Sequence, residues 1–117
     1  MSNLYYKVGD MMANKTQLLK GILEGCILKI INEKETYGYE IVEKLKSYGL
    51  EDTSEGSIYP LLIRLEKNEF LNSTMKDSPF GPKRKYYVLS IKGKEELESF
   101  KGAWDYLSKV VNNIMED

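Results

Sequence analysis

At 117 residues, with 42% apolar and 30% charged side chains, the chain has room for one modest hydrophobic core and not for two. It has no histidine and a single cysteine, Cys26, which removes the commonest metal ligand, the commonest general base, an internal disulfide and any cysteine cluster. Net charge is −1, yet residues 54–94 hold eight Lys/Arg against four acids, while the remainder holds nine basic and fourteen acidic residues, the pattern of one polyanion-attracting face on an otherwise acidic surface.

Residues 1–14 show no clear period and read as an N-terminal arm. They carry Asn3, Lys7 and Asp10 in place of the apolar run of a secretory signal. No later stretch approaches the roughly 20 apolar residues of a membrane span. A cytoplasmic chain with no membrane partner is therefore expected. A first helix is predicted over Thr16–Glu33, where Leu19, Ile22, Leu23, Cys26, Ile27, Ile30 and Ile31 recur at three- and four-residue steps. Cys26 falls within that apolar face and reads as a small buried hydrophobe. Thr36 and Tyr37 form a short extended link. A second helix over Gly38–Ser47 turns Ile41, Val42, Leu45 and Tyr48 inward and stops at Gly49.

A third helix, capped by Thr53 or Ser54, runs to about Asn68. Its buried face is Ile58, Leu61, Leu62 and Leu65, and Ser54, Ser57, Tyr59 and Arg64 occupy the other face. Pro60 lies beyond the first turn, where it forfeits a hydrogen bond to the Gly56 carbonyl, so an irregular or displaced helix start is expected. Phe70–Lys76 and Lys83–Ser90 read as two strands around the turn DSPFGP, a hairpin with a basic returning arm. Tyr86 and Tyr87 point to opposite faces, so at least one joins the core. Ser90 caps a last helix, Ile91 to about Met115. Its apolar residues Leu97, Phe100, Trp104, Leu107, Val111 and Ile114 follow steps of 3, 4, 3, 4, 3, a heptad seam that suits a second copy of the chain.

Three helices, a hairpin and a final helix make a mainly α, α+β chain: a winged helix-turn-helix (residues 15–90) followed by a C-terminal dimerisation helix (residues 91–117). This architecture suits duplex DNA, because a helix fits the major groove, about 12 Å wide. Lys and Arg on a hairpin reach flanking phosphates and release counterions there. The candidate DNA-contacting residues are Ser54, Ser57, Tyr59 and Arg64 on the third helix and Lys76, Lys83, Arg84 and Lys85 on the hairpin. A basic strand end is also a common device against edge aggregation, and Arg64 has Glu66 and Glu69 as alternative partners.

The segments SIYPLLIRLEKNEFL and SPFGPKRKYYVLSIKG, with LLKGILEGCILKII and YGYEIVEKL before them, closely resemble the PadR family of transcriptional regulators. The resemblance runs from about Met12 to the end, and the single last helix is similar to that of the small subfamily. It implies a homodimeric repressor on palindromic operators, with the last helix packed against the partner. It also implies that Trp104, which matches a ligand-stacking tryptophan when counted from Gly93, binds a planar aromatic or hydrophobic effector at the dimer centre, with Phe100 beside it. Where relatives often carry a glycine, this chain has Asn68-Glu69. The alternative function is a winged-helix protein-interaction module without DNA binding, supported by the acidic total charge. An enzyme is not expected: there is no nucleophile–base pair, P-loop or dinucleotide fingerprint, and Glu95, Glu96 and Glu98 suit an early helix turn without catalysis. No metal and no cofactor are implied.

Overall fold

The computed structural model describes residues 8–117. The elements in chain order are α1 (Val8–Leu19), α2 (Leu23–Glu33), β1 (Thr36–Tyr37), α3 (Gly38–Ser47), α4 (Glu55–Lys67), β2 (Leu71–Lys76), β3 (Arg84–Leu89) and α5 (Ile91–Met115). The core is built where the apolar faces of α2, α3 and α4 meet. Ile27, Ile31, Ile41, Leu45, Ile58, Leu62 and Leu65 are all at most 2% exposed. The sheet closes the remaining side, contributing Leu71, Tyr87 and Leu89. Its strand order is β1-β3-β2, antiparallel throughout, with Thr36 opposite Tyr87 and Lys76 opposite Arg84. Thr36-Tyr37 is thus more than an extended link: it is a third strand of the sheet. Of the two adjacent tyrosines on β3, Tyr87 enters the core and Tyr86 does not. No helix among the described residues is long and apolar enough to cross a membrane.

Three expectations are corrected in the first half of the chain. Helix begins at Val8, inside the stretch read as an arm, while residues 1–7 of that stretch lie outside the described residues. The helix expected over Thr16–Glu33 is two, parted at Lys20–Ile22, where the Gly21 and Ile22 N–H groups donate to Leu18 and Leu19 in tighter turns. Apolar residues continue at helical spacing through this break, so the pattern carries no signal of the interruption, although α2 buries its apolar face and α1 has no buried residue. Tyr48, expected inward, is 69% exposed. It is the residue at which α3 ends, and its ring stands at the rim of a cavity lined by Leu45 and Leu97, 6.0 Å from Lys44 Nζ.

The helix ends follow local chemistry closely. Helix α3 closes with Leu50 N–H donating to the Leu45 carbonyl and Gly49 N–H to that of Lys46, with Gly49 at φ +115. Helix α4 closes the same way, Phe70 to Leu65 and Glu69 to Glu66, but the left-handed position is filled by Glu69 at φ +66. This is a Schellman turn that favours glycine. The irregular start expected at Pro60 does not occur: α4 is continuous from Glu55. Gly56 and Pro60 are both exposed, so the carbonyl deprived of its partner faces water and not the core. The first turn is held by its cap.

Candidate nucleic-acid interface

The exposed side of α4 is assembled from its N-terminus outward. Ser57 N–H donates to Ser54 Oγ and Ser54 N–H donates to Ser57 Oγ, both at 3.2 Å, a reciprocal capping box. Both serines are exposed but are engaged in this cap, so their first role is to fix where the helix starts. Tyr59 is 44% exposed, and its ring lies over Gly38 at the start of α3, where an added Cβ would come within 2.6 Å of it. Gly38 therefore sets where Tyr59 stands. Arg64 pairs with Glu24 of α2, not with Glu66 or Glu69. It lies on a flank of α4 and not at its outermost line. That line is Gly56, Pro60, Ile63 and Lys67, all exposed and spaced 4, 3 and 4 residues apart. Ile63 (64% exposed) and Lys67 were missed from sequence. The available signal was their position, half a helical turn from the buried Ile58, Leu62 and Leu65.

The hairpin, or wing, is tied to α4 by Glu66. Its carboxylate accepts from Ser73 Oγ on β2 and pairs with Lys85 Nζ on β3 at 2.7 Å. Hydrogen bonding from Lys85, then from Ser73, outweighs burial and lowers the Glu66 pKa. The same bond raises that of Lys85. Lys76 pairs with Glu35, just before β1. Arg84 stacks on the Tyr37 ring, 4.5 Å from its centroid, and donates to the Tyr37 hydroxyl at 3.2 Å. Tyr37 in turn packs on Tyr86, with ring centroids 5.1 Å apart. Lys83, in the turn, is exposed and has no ion pair among the described residues. The eight residues expected to contact DNA thus lie on α4, at its cap and on the adjoining wing, and six of them are engaged in hydrogen bonds, ion pairs or ring contacts among the described residues, Tyr59 and Lys83 being the others. Beyond it the turn presents Phe80, 94% exposed, and is braced by Ser78 Oγ donating to the Pro82 carbonyl at 2.7 Å.

The last helix corrects the expected seam at its start. Leu97 is 2% exposed and packs in the chain's own core, so it is not available to a partner. Phe100 is half-buried and sits against α2, where a Cβ on Gly25 would overlap its ring. The physical reason is proximity: this first half of α5 lies along α2. Trp104, Leu107, Val111 and Ile114 project further and are 51%, 53%, 45% and 69% exposed. Phe100 and Trp104 also part company. Phe100 lines a cavity of 410 Å³ with Gly25, Cys26, Leu45 and Leu97. Trp104 lines another of 590 Å³ with Leu18, Leu19, Ile22, Leu107 and Val111, between α1 and α5. Cys26, half-buried at the first cavity, has its thiol pKa raised by burial. Among the described residues no group of three or more potential ligands could hold a metal ion.

Three packed helices closed by a hairpin wing define a winged-helix protein. The family model described as the transcriptional regulator PadR-like family matches residues 27–99, and the chain belongs to that family. Among solved structures, it resembles a PadR-like transcriptional regulator from Bacillus cereus at 52% identity and TM-score 0.78, covering 86% of this chain and 98% of that one. A Streptococcus transcriptional regulator matches at 48% identity and TM-score 0.78, with the same coverage. Bacillus subtilis PadR, solved in complex with operator DNA, matches at 27% identity and TM-score 0.61, over 68% of this chain and 46% of that one. An uncharacterized protein of Lysinibacillus sphaericus is 31% identical over 104 residues, 87% of this chain and 95% of that protein.

Proposed function

We propose that the chain is a sequence-specific DNA-binding repressor, acting as a homodimer on a palindromic operator. One observation carries the reading: a capped helix with an exposed outer line, α4, is bonded through Glu66 to a wing bearing Lys76, Lys83, Arg84 and Lys85. Helix α4 enters the major groove, where Tyr59, Ile63, Arg64 and Lys67 meet base edges and thymine methyls. The wing meets the flanking phosphates. The operator complex of the Bacillus subtilis relative supports this assignment.

What α1 and α5 leave uncovered supports the homodimer. Helix α1 has no buried residue, and the outer half of α5 exposes Trp104, Leu107, Val111 and Ile114. A second copy laid along this stripe buries it, and binding to successive major grooves requires the two α4 helices to sit about 34 Å apart, one turn of B-DNA. The cavity beside Trp104 falls within the range of small-molecule pockets, about 300–1,000 Å³. A planar aromatic effector stacked there changes the spacing and so binds the released state better than the DNA-bound one.

The test is a fluorescence-anisotropy titration against a duplex covering the protein's own promoter, at two salt concentrations. Tight binding with a steep salt slope, not competed by unrelated duplex, is the expected result. Arg64→Ala should weaken specific binding, whereas Lys83→Ala and Arg84→Ala should mainly reduce the slope. Unchanged affinity and slope in all three variants would sink the assignment. Quenching of Trp104 by aromatic compounds tests the effector site.

A further inference from the structure

We propose that Glu35 and Glu66 are built-in counter-anions of the wing, which hold Lys76 and Lys85 in closed pairs and thereby set how strongly the hairpin attracts duplex DNA of any sequence. The inference rests on the DNA-binding reading above. Lys76 and Lys85 stand at the last two rungs of the β2–β3 ladder, opposite Arg84 and Met75, where the wing leaves the body of the protein. Arg84 is held there by the Tyr37 ring and hydroxyl. Each lysine is matched by one carboxylate from outside the two wing strands: Glu35 from the link before β1, Glu66 from α4. The basic segment legible in the sequence is therefore partly neutralised in three dimensions. Within the turn, Lys83 has no ion pair among the described residues.

Counterion release gives this arrangement a consequence. A lysine that faces a free phosphate releases a condensed cation from the duplex, and each such contact adds about 0.9 to the slope of log affinity against log salt. A lysine already compensated by a carboxylate at 2.7 Å offers the phosphate little net charge. The phosphate must displace the carboxylate or share the ammonium with it. Both carboxylates are about one-third exposed, 36% for Glu35 and 31% for Glu66. Pairs this accessible to water are weak and exchangeable. A well-placed phosphate therefore opens them, whereas a duplex that is merely nearby finds them closed. Freeing one lysine is worth about 8-fold in affinity at about 0.1 M salt, relative to 1 M, for a slope change of about 0.9.

The experiment uses the full chain and a duplex of arbitrary sequence, about 30 base pairs long, in anisotropy titrations across roughly 50 to 200 mM salt. The proteins are the wild type, Glu35→Gln, Glu66→Gln and Glu98→Gln. Glu98 pairs with Lys101 on α5, so its substitution makes the same charge change away from the wing. Gln at position 66 still accepts from Ser73, and Glu35→Gln provides an independent variant on a separate element; circular dichroism confirms that each is folded. The expected result is binding about 5- to 10-fold tighter, with a slope steeper by about 0.9, for each wing variant. Glu98→Gln should stay within about twofold of wild type. The proposal is overturned if both wing variants bind like a wild type that itself binds, or if Glu98→Gln gains as much as they do. If none of the four binds even at the lowest salt, the DNA-binding reading fails and takes this inference with it.

Discussion

The same substitution made twice on α5 should have opposite effects. Gly93 and Gly102 both lie within this helix. Helix propensity alone favours alanine over glycine by up to about 1 kcal/mol at each position. At Gly102 nothing lies within 4 Å of an added Cβ, so Gly102→Ala should stabilise the protein by about 0.5–1 kcal/mol. At Gly93 the added Cβ would overlap the Phe70 carbonyl oxygen and stand 3.0 Å from its carbon and 3.3 Å from its Cα. These are backbone atoms, and the Phe70 carbonyl already accepts from Ser90 N–H at 3.0 Å, so it cannot swing aside without breaking the junction of wing and helix. Overpacking of this kind costs about 1–3 kcal/mol, and a backbone obstacle places it at the upper end. Net of the propensity gain, Gly93→Ala should cost about 2 kcal/mol. Urea unfolding at fixed protein concentration is the assay. With an m-value of about 2 kcal/mol/M, the midpoint should fall by about 1 M for Gly93→Ala and rise slightly for Gly102→Ala. A rise in both midpoints would refute the close-packing argument and leave propensity in command.

Other expectations are equally direct. Replacing Glu69, at φ +66 in the Schellman turn of α4, by glycine should raise stability by about 0.5–1 kcal/mol, read from the urea midpoint. Ser54→Ala removes half of the reciprocal cap of α4 and should cost about 1 kcal/mol by the same assay. Val111→Asp places a charge on the apolar stripe of α5 and should convert a dimer to monomer in sedimentation equilibrium while leaving the helical circular dichroism unchanged; a persistent dimer would place the interface elsewhere. Because Lys85 and Ser73 lower the Glu66 pKa in the folded chain, their contribution is complete above the ordinary carboxylate range and is lost as pH falls through the folded value. A carboxyl-carbon NMR titration should find Glu66 titrating below the unfolded reference, and Lys85→Met should move it upward.

Much of the architecture was legible because it rests on local chemistry. The bounds of α3 and α5, the serine caps at Ser54 and Ser90, the stop at Gly49 and the basic hairpin all come from residues acting on neighbours a few positions away. The break at Lys20–Ile22 was not legible, since apolar spacing continues across it. The outward line of Gly56, Pro60, Ile63 and Lys67 was legible from its place opposite Ile58, Leu62 and Leu65, but Ile63 and Lys67 were left out of the contact set because that set was chosen by polar side-chain type and not by helical position.

The sequence by itself determined the order of elements from α3 onward, the family resemblance and the concentration of positive charge between residues 54 and 94. Only the tertiary structure decided which of those charges are free. Glu24, Glu35 and Glu66 reach Arg64, Lys76 and Lys85 across 40, 41 and 19 positions of chain. It also decided that the heptad stripe divides, with Leu97 spent in the core and Trp104 to Ile114 left outside. The reason is the same in both cases. A periodic pattern specifies which side chains share a face, but the neighbour that meets that face is brought there by the fold of distant segments.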